Sequence, residues 1–538
     1  MNLGRHHTLL LRLALCMALC LPGAASAEQV LRRGNGPDVE SLDPHRVEGV
    51  AAADVMRDLF EGLVSTGLDA EPIPGVAERW EISEDGLHYR FYLRHDARWS
   101  NGDAVTAMDF VVALRRSVDP ATGSNYSKIL SPICNADEII EGEKPPDTLA
   151  VTAVDAHTLD IELTGPTPYL LGQLSHTSAY PVHRPSLAQW GADFAREGRL
   201  VSNGAYQLKR WALQSHIELV RNPHYWNNDK TRIDRVIFYT IEDLNAEYQR
   251  YRAGEIDWTT GVPITQLPQI KQRMPDDLRM HPYMGVYYYG MNLNRPPFKD
   301  NPKLRLALNM AIDRPLIAER ILGDIDQAAD GWMPPGVQNH HYARFAWADW
   351  PREQRLAKAR QLYAEAGYSA ARPARVEILY NTSDDHKKLA TVVSAMWKQW
   401  LGVETVLRNQ EWKVYLQSRR LQQDTEVFRA GWIGDYNDPN TFMEILHSQH
   451  GMNDVGYDSE VYDRLLHEAS QESNLERRAW LMQAAEAQLL EDLPIIPLYF
   501  YNSKRLVRPT LKGWRGNVMD QHRSQTMYFD PATTGGAP

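Results

Sequence analysis

Cysteine is scarce in this chain: there are three in 538 residues, and two of them, Cys16 and Cys20, fall within the first 27 positions. Beyond that stretch only Cys134 remains, which excludes an internal disulfide and a thiolate metal cage. Long apolar runs are missing too, and the one near the start, Leu13 to Leu21, is too short to span a bilayer. No low-complexity tract, heptad array or short internal repeat is present, which sets aside coiled coils and solenoids. Positive charge is in deficit, with 58 Lys and Arg against 69 Asp and Glu and a net charge of −11. A mildly acidic surface argues against nucleic acid as a partner. Two catalytic signatures are also missing, the Gly-x-Ser-x-Gly elbow and the His-Glu-x-x-His helix. Their absence argues against a hydrolase.

What is present begins with an export signal over residues 1–27. Arg5 and Arg12 supply positive charge, Leu13 to Leu21 the apolar segment, and Ala25-Ser26-Ala27 a small-x-small cleavage site. Both Cys16 and Cys20 follow leucine, so the bacterial lipoprotein signal is absent. Cleavage after Ala27 would remove two arginines and no acid, taking the charge to about −13 and leaving about 511 residues. That length accommodates two or three domains.

The texture changes near residue 65. Before it, alternation from Gln29 to Arg33 reads as a strand, and Val55, Leu59 and Leu63 mark a helix. After it, Trp80 and Ile82 alternate into Glu84-Asp85-Gly86, and Leu87, Tyr89, Phe91 and Leu93 alternate away, which predicts a hairpin. Thr106 caps a helix through Arg116. More strands follow, and the second half reads as α/β. Val376 to Tyr380 is a strand, Leu389 to Trp400 a helix closed by Gly402, and Val403 to Leu407 a second strand. That βαβ unit predicts a parallel pair. A helix over Trp412 to Leu421 then leads into a strand from Val427 whose end carries Gly431, Gly434 and Asp435. Ligands of open α/β sheets bind beyond such strand ends, and a poorly hydrated carboxylate at Asp435 would call for a cation such as a free α-amino group.

Four stretches together resemble one family. They are Gly75-Val-Ala-Glu-Arg-Trp80 through Trp99-Ser-Asn-Gly102 and Asp109-Phe110, then Asn203-Gly-Ala-Tyr206 with Tyr225-Trp226-Asn227, then Tyr251-Arg-Ala-Gly-Glu-Ile-Asp257, and Ala430-Gly-Trp432 with Asp435-Tyr436. On these the chain resembles solute-binding protein family 5, the bacterial extracytoplasmic peptide binders that serve ABC transporters. Ser41-Leu-Asp-Pro-His45 and Asn381-Thr-Ser-Asp384 with His386-Lys-Lys388 narrow the likeness to the oligopeptide and murein-tripeptide branch.

The resemblance implies an α/β, periplasmic binding protein-like fold (cluster C type): two lobes closing like a flytrap, plus an additional α+β domain. Lobe I would comprise residues 28–60, 184–284 and 503–538, the extra domain 61–183, and lobe II 285–502. It further implies a monomeric periplasmic protein that takes short peptides as an added strand and delivers them to permease subunits in the inner membrane, with no cofactor and no metal. Asp435 would bind the α-ammonium, with Gly431 on lobe II and Glu48 and Val50 opposite supplying the edges. Tyr126, Tyr283, Tyr288, Trp412 and Trp432 would line the ligand, and Arg419, Arg429 and His386 would be cations near its carboxylates. The position of Gly290, which carries an acid in many oligopeptide binders, is expected to face Arg429 and to leave that arginine without a partner. From this follows an expected preference for ligands with an extra carboxylate, murein tripeptide being the natural candidate. The disulfide common in the branch would join positions 285 and 433, here Gly285 and Ile433.

Two rivals remain at this point. A metal or haem carrier of the same fold could use His447 and His450, spaced to share a helix face, or His340-His341, although spacing places no third ligand. An exported peptide-binding chaperone or signalling receptor would use the same fold and the same cleft.

Overall fold

A computed structural model describes residues 28–530 apart from 69 and 324; the export signal expected over 1–27 lies outside these. The chain opens with strand β1 (Val30–Gly34) and helix α1 (Gly49–Leu59), which buries Ala52, Val55, Met56 and Leu59. It then enters the extra domain. Strands β2 (Ala77–Ile82) and β3 (His88–Leu93) form the hairpin expected from their alternation, joined by β4 (Val151–Ala153) and β5 (Thr158–Glu162) in the antiparallel order β2-β3-β5-β4. Helix α2 (Ala107–Val118) packs on this sheet and starts in a capping box between Thr106 and Asp109. Cys134, in the same domain, is half-buried and free.

The chain returns to lobe I through β6 (Tyr206–Ala212), β7 (His216–Arg221) and β8 (Arg235–Tyr239), where β8 pairs in parallel with β1. Lobe I and the extra domain share one continuous apolar core that includes Leu31, Phe60, Phe91, Phe110 and Val236. Lobe II has a core of its own.

Lobe II is built on a six-stranded mixed sheet. Its strands are β9 (Leu278–Met291), β10 (Gln327–Ala328), β11 (Arg375–Asn381), β12 (Glu404–Gln410), β13 (Val427–Ile433) and β14 (Ile495–Leu506), in the order β10-β14-β9-β13-β11-β12. The predicted βαβ unit is β11, α3 (Asp384–Leu401) and β12, paired in parallel, with Gly402 at φ 78° closing the helix. Helix α4 (Trp412–Leu421) leads into β13. The long strands β9 and β14 pair from Leu278↔Leu506 to Gly290↔Ile495, with a break in register between Pro282 and Val286. They carry the chain between the lobes, and the break bends the paired strands there.

Two sequence expectations meet the register of β9 against β13. Gly285 lies directly opposite Ile433, so the two positions that could hold a disulfide are cross-strand neighbours. Gly290 lies opposite Phe428, and a Cβ there would sit 2.3 Å from the Phe428 ring. Gly290 is therefore a packing glycine on the sheet face away from Arg429, and the expectation that it faces Arg429 is corrected: successive side chains alternate, and Arg429 is one residue out of phase with Phe428. An acid at 290 would collide with Phe428 rather than neutralise the arginine.

The pairing generates a prediction. The double variant Gly285→Cys, Ile433→Cys should form a disulfide on oxidation and raise the unfolding free energy by about 2–4 kcal/mol, the usual range for a bond closing a long loop. Melting with and without reductant checks it. No free-thiol loss, or no reductant-sensitive shift, would contradict the register.

Candidate functional site

Strand β13 has one edge paired along its length and the other left open. On the β9 side the register runs unbroken from Met291↔Val427 to Gly285↔Ile433. On the other side β11 pairs only at Ile378↔Val427 and Leu379↔Phe428, so among the described residues Arg429 to Ile433 have no strand neighbour there. Two hydrogen bonds fix which groups face the open side. The Arg429 carbonyl accepts from the Tyr415 hydroxyl, and the Gly434 N–H donates to Met284 O at 2.9 Å on the β9 side. By alternation the N–H and C=O of Gly431 and Ile433 point to the open edge. A row of unpaired backbone groups in a closed cleft is what an incoming extended chain would complete.

The lobes meet over this edge. Glu48 of lobe I accepts hydrogen bonds from Arg420 of lobe II and from Asn125 of the extra domain, and Lys413 Nζ lies 3.0 Å from Asp38 Oδ2. Gly49, at φ 79°, lets the start of α1 approach the Trp412 ring, which would stand 3.2 Å from a Cβ. Two adjoining chambers result, of about 130 and about 450 Å³, which share a wall of Glu48, Val50, Tyr283, Trp412, Gly431 and Ile433.

The smaller chamber ends on Asp435. Its Oδ2 is buried without a hydrogen-bond partner, and Oδ1 is 3.6 Å from His176 Nε2. Burial pushes the carboxyl up to about 7, against the weaker opposing charge of Arg57 and a bond with Thr441. Burial also lowers His176 to about 3, so it is neutral and no counter-ion. Arg57 is itself paired with Asp54 at 2.9 Å. Tyr126 and Trp432 stack over the chamber with ring centroids 6.1 Å apart. Asp435 is thus a desolvated acid lacking a cation.

The larger chamber holds the converse. The Arg429 guanidinium donates to the Tyr501 hydroxyl at 3.1 Å and to Asn381 Oδ1 at 3.5 Å, and lies 4.8 Å from the centre of the Tyr287 ring. Its Nε is buried without a partner, and among the described residues no carboxylate lies within ion-pair distance. The acids that could have neutralised it are taken: Glu48 by Arg420 and Asn125, and Glu426 by the Glu377 N–H. Tyr501 also explains Gly431, where a Cβ would come within 2.5 Å of its hydroxyl.

Most of the expected site residues meet here. Asp435, Arg419, Trp432 and Tyr126 line the small chamber, Arg429 and His386 the large one, and Glu48, Val50, Gly431, Tyr283 and Trp412 both. Three expectations need correction besides Gly290. Tyr288 points to the opposite sheet face and packs edge-on against Trp332, with centroids 5.0 Å apart; its neighbour Tyr287 faces the cleft. Arg419 is bound to Asp454 at 2.5 Å and is not a spare cation. His386 is held neutral by burial and by Arg429, so it offers a hydrogen bond rather than a charge. Tyr499, Tyr501, Tyr287 and His176 were missed, although the i, i+2 spacing of Tyr499 and Tyr501 on one strand is a face signal that could have found two of them. His447 and His450 belong to no group of three metal-ligating residues among those described.

Comparison with known proteins gives the family. The family model for bacterial extracellular solute-binding proteins, family 5 (middle), matches residues 71–454. The chain is 42% identical over 512 residues to the periplasmic oligopeptide-binding protein OppA of Escherichia coli K12, covering 94% of both. It is 39% identical over 511 residues to the periplasmic murein peptide-binding protein MppA of the same organism, again covering 94% of each. A solved structure of the E. coli murein tripeptide binding protein MppA superimposes with a TM-score of 0.91 at 38% identity, covering 94% of this chain and 99% of that one. An unliganded open form of MppA gives a TM-score of 0.66 at the same identity, covering 94% and 98%. The present structure is thus closer to the first arrangement than to the open one, in keeping with its cross-lobe ion pairs. The open strand edge, the oppositely charged ends and these matches converge, and the chain belongs to the bacterial extracellular solute-binding proteins of family 5.

Proposed function

We propose that this protein encloses short peptides between its lobes and delivers them to an inner-membrane ABC permease, acting as a monomer in the periplasm after cleavage following Ala27. The lobe boundaries at 60/61, 183/184, 284/285 and 502/503 belong to the same proposal. One observation carries the reading: a stretch of unpaired strand edge runs between a buried acid without a cation and a buried arginine without an acid. A peptide has the complementary parts in the complementary order. Its ammonium meets Asp435, its backbone adds to Gly431 and Ile433, and a carboxylate meets Arg429, which fixes its direction as antiparallel to β13. Arg429 and Asp435 are six positions apart, roughly 20 Å along a strand. Less the reach of the two side chains, that suits a ligand of about three to four residues. The large chamber tolerates varied side chains because water fills what they do not.

A guanidinium already served by two neutral groups gains most from a carboxylate in bidentate geometry. We therefore infer a preference for ligands with a carboxylate at this point, murein tripeptide (L-Ala-γ-D-Glu-diaminopimelate) among them. The relatives named for oligopeptides and for murein peptide support both halves of this reading.

Three outcomes are expected. Asp435→Asn should weaken peptide binding by two or more decades, since breaking a desolvated ion pair costs roughly 2–5 kcal/mol, and wild type should bind N-acetylated peptides poorly. Equal calorimetric affinity for free and acetylated peptides would remove this role.

The second outcome concerns pH. In the empty cleft Asp435 titrates at about 7, and an ammonium partner must pull that value down. A proton therefore competes with the ligand, so affinity should fall about tenfold per unit as pH drops from about 7 toward 5, and fall again above about 8 as the peptide's own ammonium loses its proton. The stability of the empty protein runs the other way. The folded carboxyl binds its proton more tightly than the unfolded one (about 3.9), so stability declines as pH rises from about 4 to 7. Asp435→Asn should hence raise the melting temperature of the empty protein more at pH 8 than at pH 4.5. A flat affinity profile in wild type would count against the buried acid.

The third outcome separates ligands at Arg429. Trialanine should bind at least about tenfold better than its C-terminal amide, as 1.4 kcal/mol is the low end for a hydrogen-bonded charge pair. Murein tripeptide should bind at least as well as trialanine. Arg429→Gln should erase the acid-over-amide difference while leaving the dependence on a free N-terminus. Equal binding of acid and amide to wild type would show the arginine to be satisfied internally.

A further inference from the structure

Beneath the cleft floor, where β9 and β14 leave lobe I, lies a cluster that peptide binding does not require. His281 sits on β9, and Asp520 and His522 on the segment after β14. One ligand atom from each lies within 4.8 Å of the others. Asp520 Oδ1 is approached by His522 Nε2 at 2.8 Å and by His281 Nε2 at 3.1 Å.

We propose that His281 Nε2, His522 Nε2 and Asp520 Oδ1 form a binding site for one divalent transition metal ion, with Zn²⁺ the best fit.

The donor set of two imidazoles and one carboxylate is that of three-ligand zinc sites, which leave further positions for water or another ligand. A tetrahedral ion about 2.0–2.1 Å from each donor places the donors roughly 3.3 Å from one another. The two nitrogen–oxygen separations already lie within a few tenths of an ångström of that. Hydrogen bonding accounts for the cluster only in part, because both ring nitrogens of His281 are buried without an aligned partner.

The surroundings hold the donors in place. Arg505 donates to the other Asp520 oxygen at 2.5 and 2.9 Å, which keeps Oδ1 turned toward the histidines as an outer-shell partner does in metal sites. The loop carrying Asp520 is braced by Asn517, which donates to Gln521 O at 2.9 Å and accepts from Gln521 N at 3.1 Å. The rings are clamped by Trp514, stacked on His522 at 4.5 Å, and by Trp258, edge-on to it at 5.2 Å. Binding requires each imidazole to present a bare Nε2 to the ion with its hydrogen on Nδ1. The Arg505 charge opposes the ion, so a micromolar rather than a tighter constant is expected. Asp520 lines both chambers, so an ion here would adjoin the peptide cleft and the strands that join the lobes.

The test uses the full exported chain, without a polyhistidine tag and stripped by chelator. Calorimetry with Zn²⁺ should give one ion per chain. Co²⁺ should give the intense visible bands of a four- or five-coordinate site, and in protein with labelled histidine rings only two imidazoles should respond to Zn²⁺. His522→Ala and His281→Ala should each lose at least about 10–100-fold in affinity, the effect of disturbing even an outer-shell partner, whereas His447→Ala should change nothing. Absence of stoichiometric binding to wild type overturns the proposal, as does a response from other histidines or an unchanged constant in His522→Ala. Should either variant fail to fold, the wild-type titration and ring signals decide alone.

Discussion

The closed cleft is held in a state of electrical and hydrogen-bonding incompleteness, and much of the architecture serves to keep it so. Asp435 and Arg429 are both half-buried with one polar atom fully out of water, both carry charge in their common ionised forms, and neither has an opposite charge beside it. A protein could satisfy them with each other only by bringing the two ends of one strand together, and a strand is too stiff for that. The same strand leaves the backbone of Gly431 and Ile433 unpaired between them. Each deficit alone would be a small defect; the three in a row, properly ordered, describe the negative image of a peptide main chain. Such recognition reads the parts common to all peptides, which is why large chambers beside it can be indifferent to side chains.

That incompleteness is tolerated because stability is gathered elsewhere. Lobe I shares a core with the extra domain, and lobe II has its own. The cleft between them is lined by tyrosines, tryptophans and glycines interspersed with aliphatic and polar side chains. Four tyrosines in the large chamber, Tyr283, Tyr287, Tyr499 and Tyr501, present hydroxyls to the cleft and apolar ring bodies to the sheet.

Much of this was legible in the residues. The hairpin before Leu93, the capped helix after Thr106 and the βαβ unit closed by Gly402 followed from periodicity and caps, which are local signals. The burial of Asp435 at a strand end beyond two glycines was readable as well, and the family likeness placed the remaining residues around it. What failed was side-chain phase. In Tyr287-Tyr288-Tyr289-Gly290 three identical residues carry no alternation, so nothing local says which faces the cleft, and a shift of one residue exchanged Tyr287 for Tyr288 and placed Gly290 beside Arg429 instead of Phe428. Partner choice failed for a second reason. The bond of Arg419 to Asp454 joins residues 35 apart, and the neutrality of His386 depends on burial by residues far away in sequence. Such pairings are decided by tertiary placement alone.

The bonds that span the lobes carry a consequence of their own. Arg420 and Lys413 are each more than a third exposed, while their partners Glu48 and Asp38 are nearly buried. Pairs with one end in water contribute at most about a kilocalorie each and weaken as salt accumulates. Their share of the closing force therefore falls as ionic strength rises, while the buried stack of Tyr169 on Tyr436 between the same bodies does not. Salt then acts on ligand affinity through the ease of closure, and not only through the charges that touch the ligand.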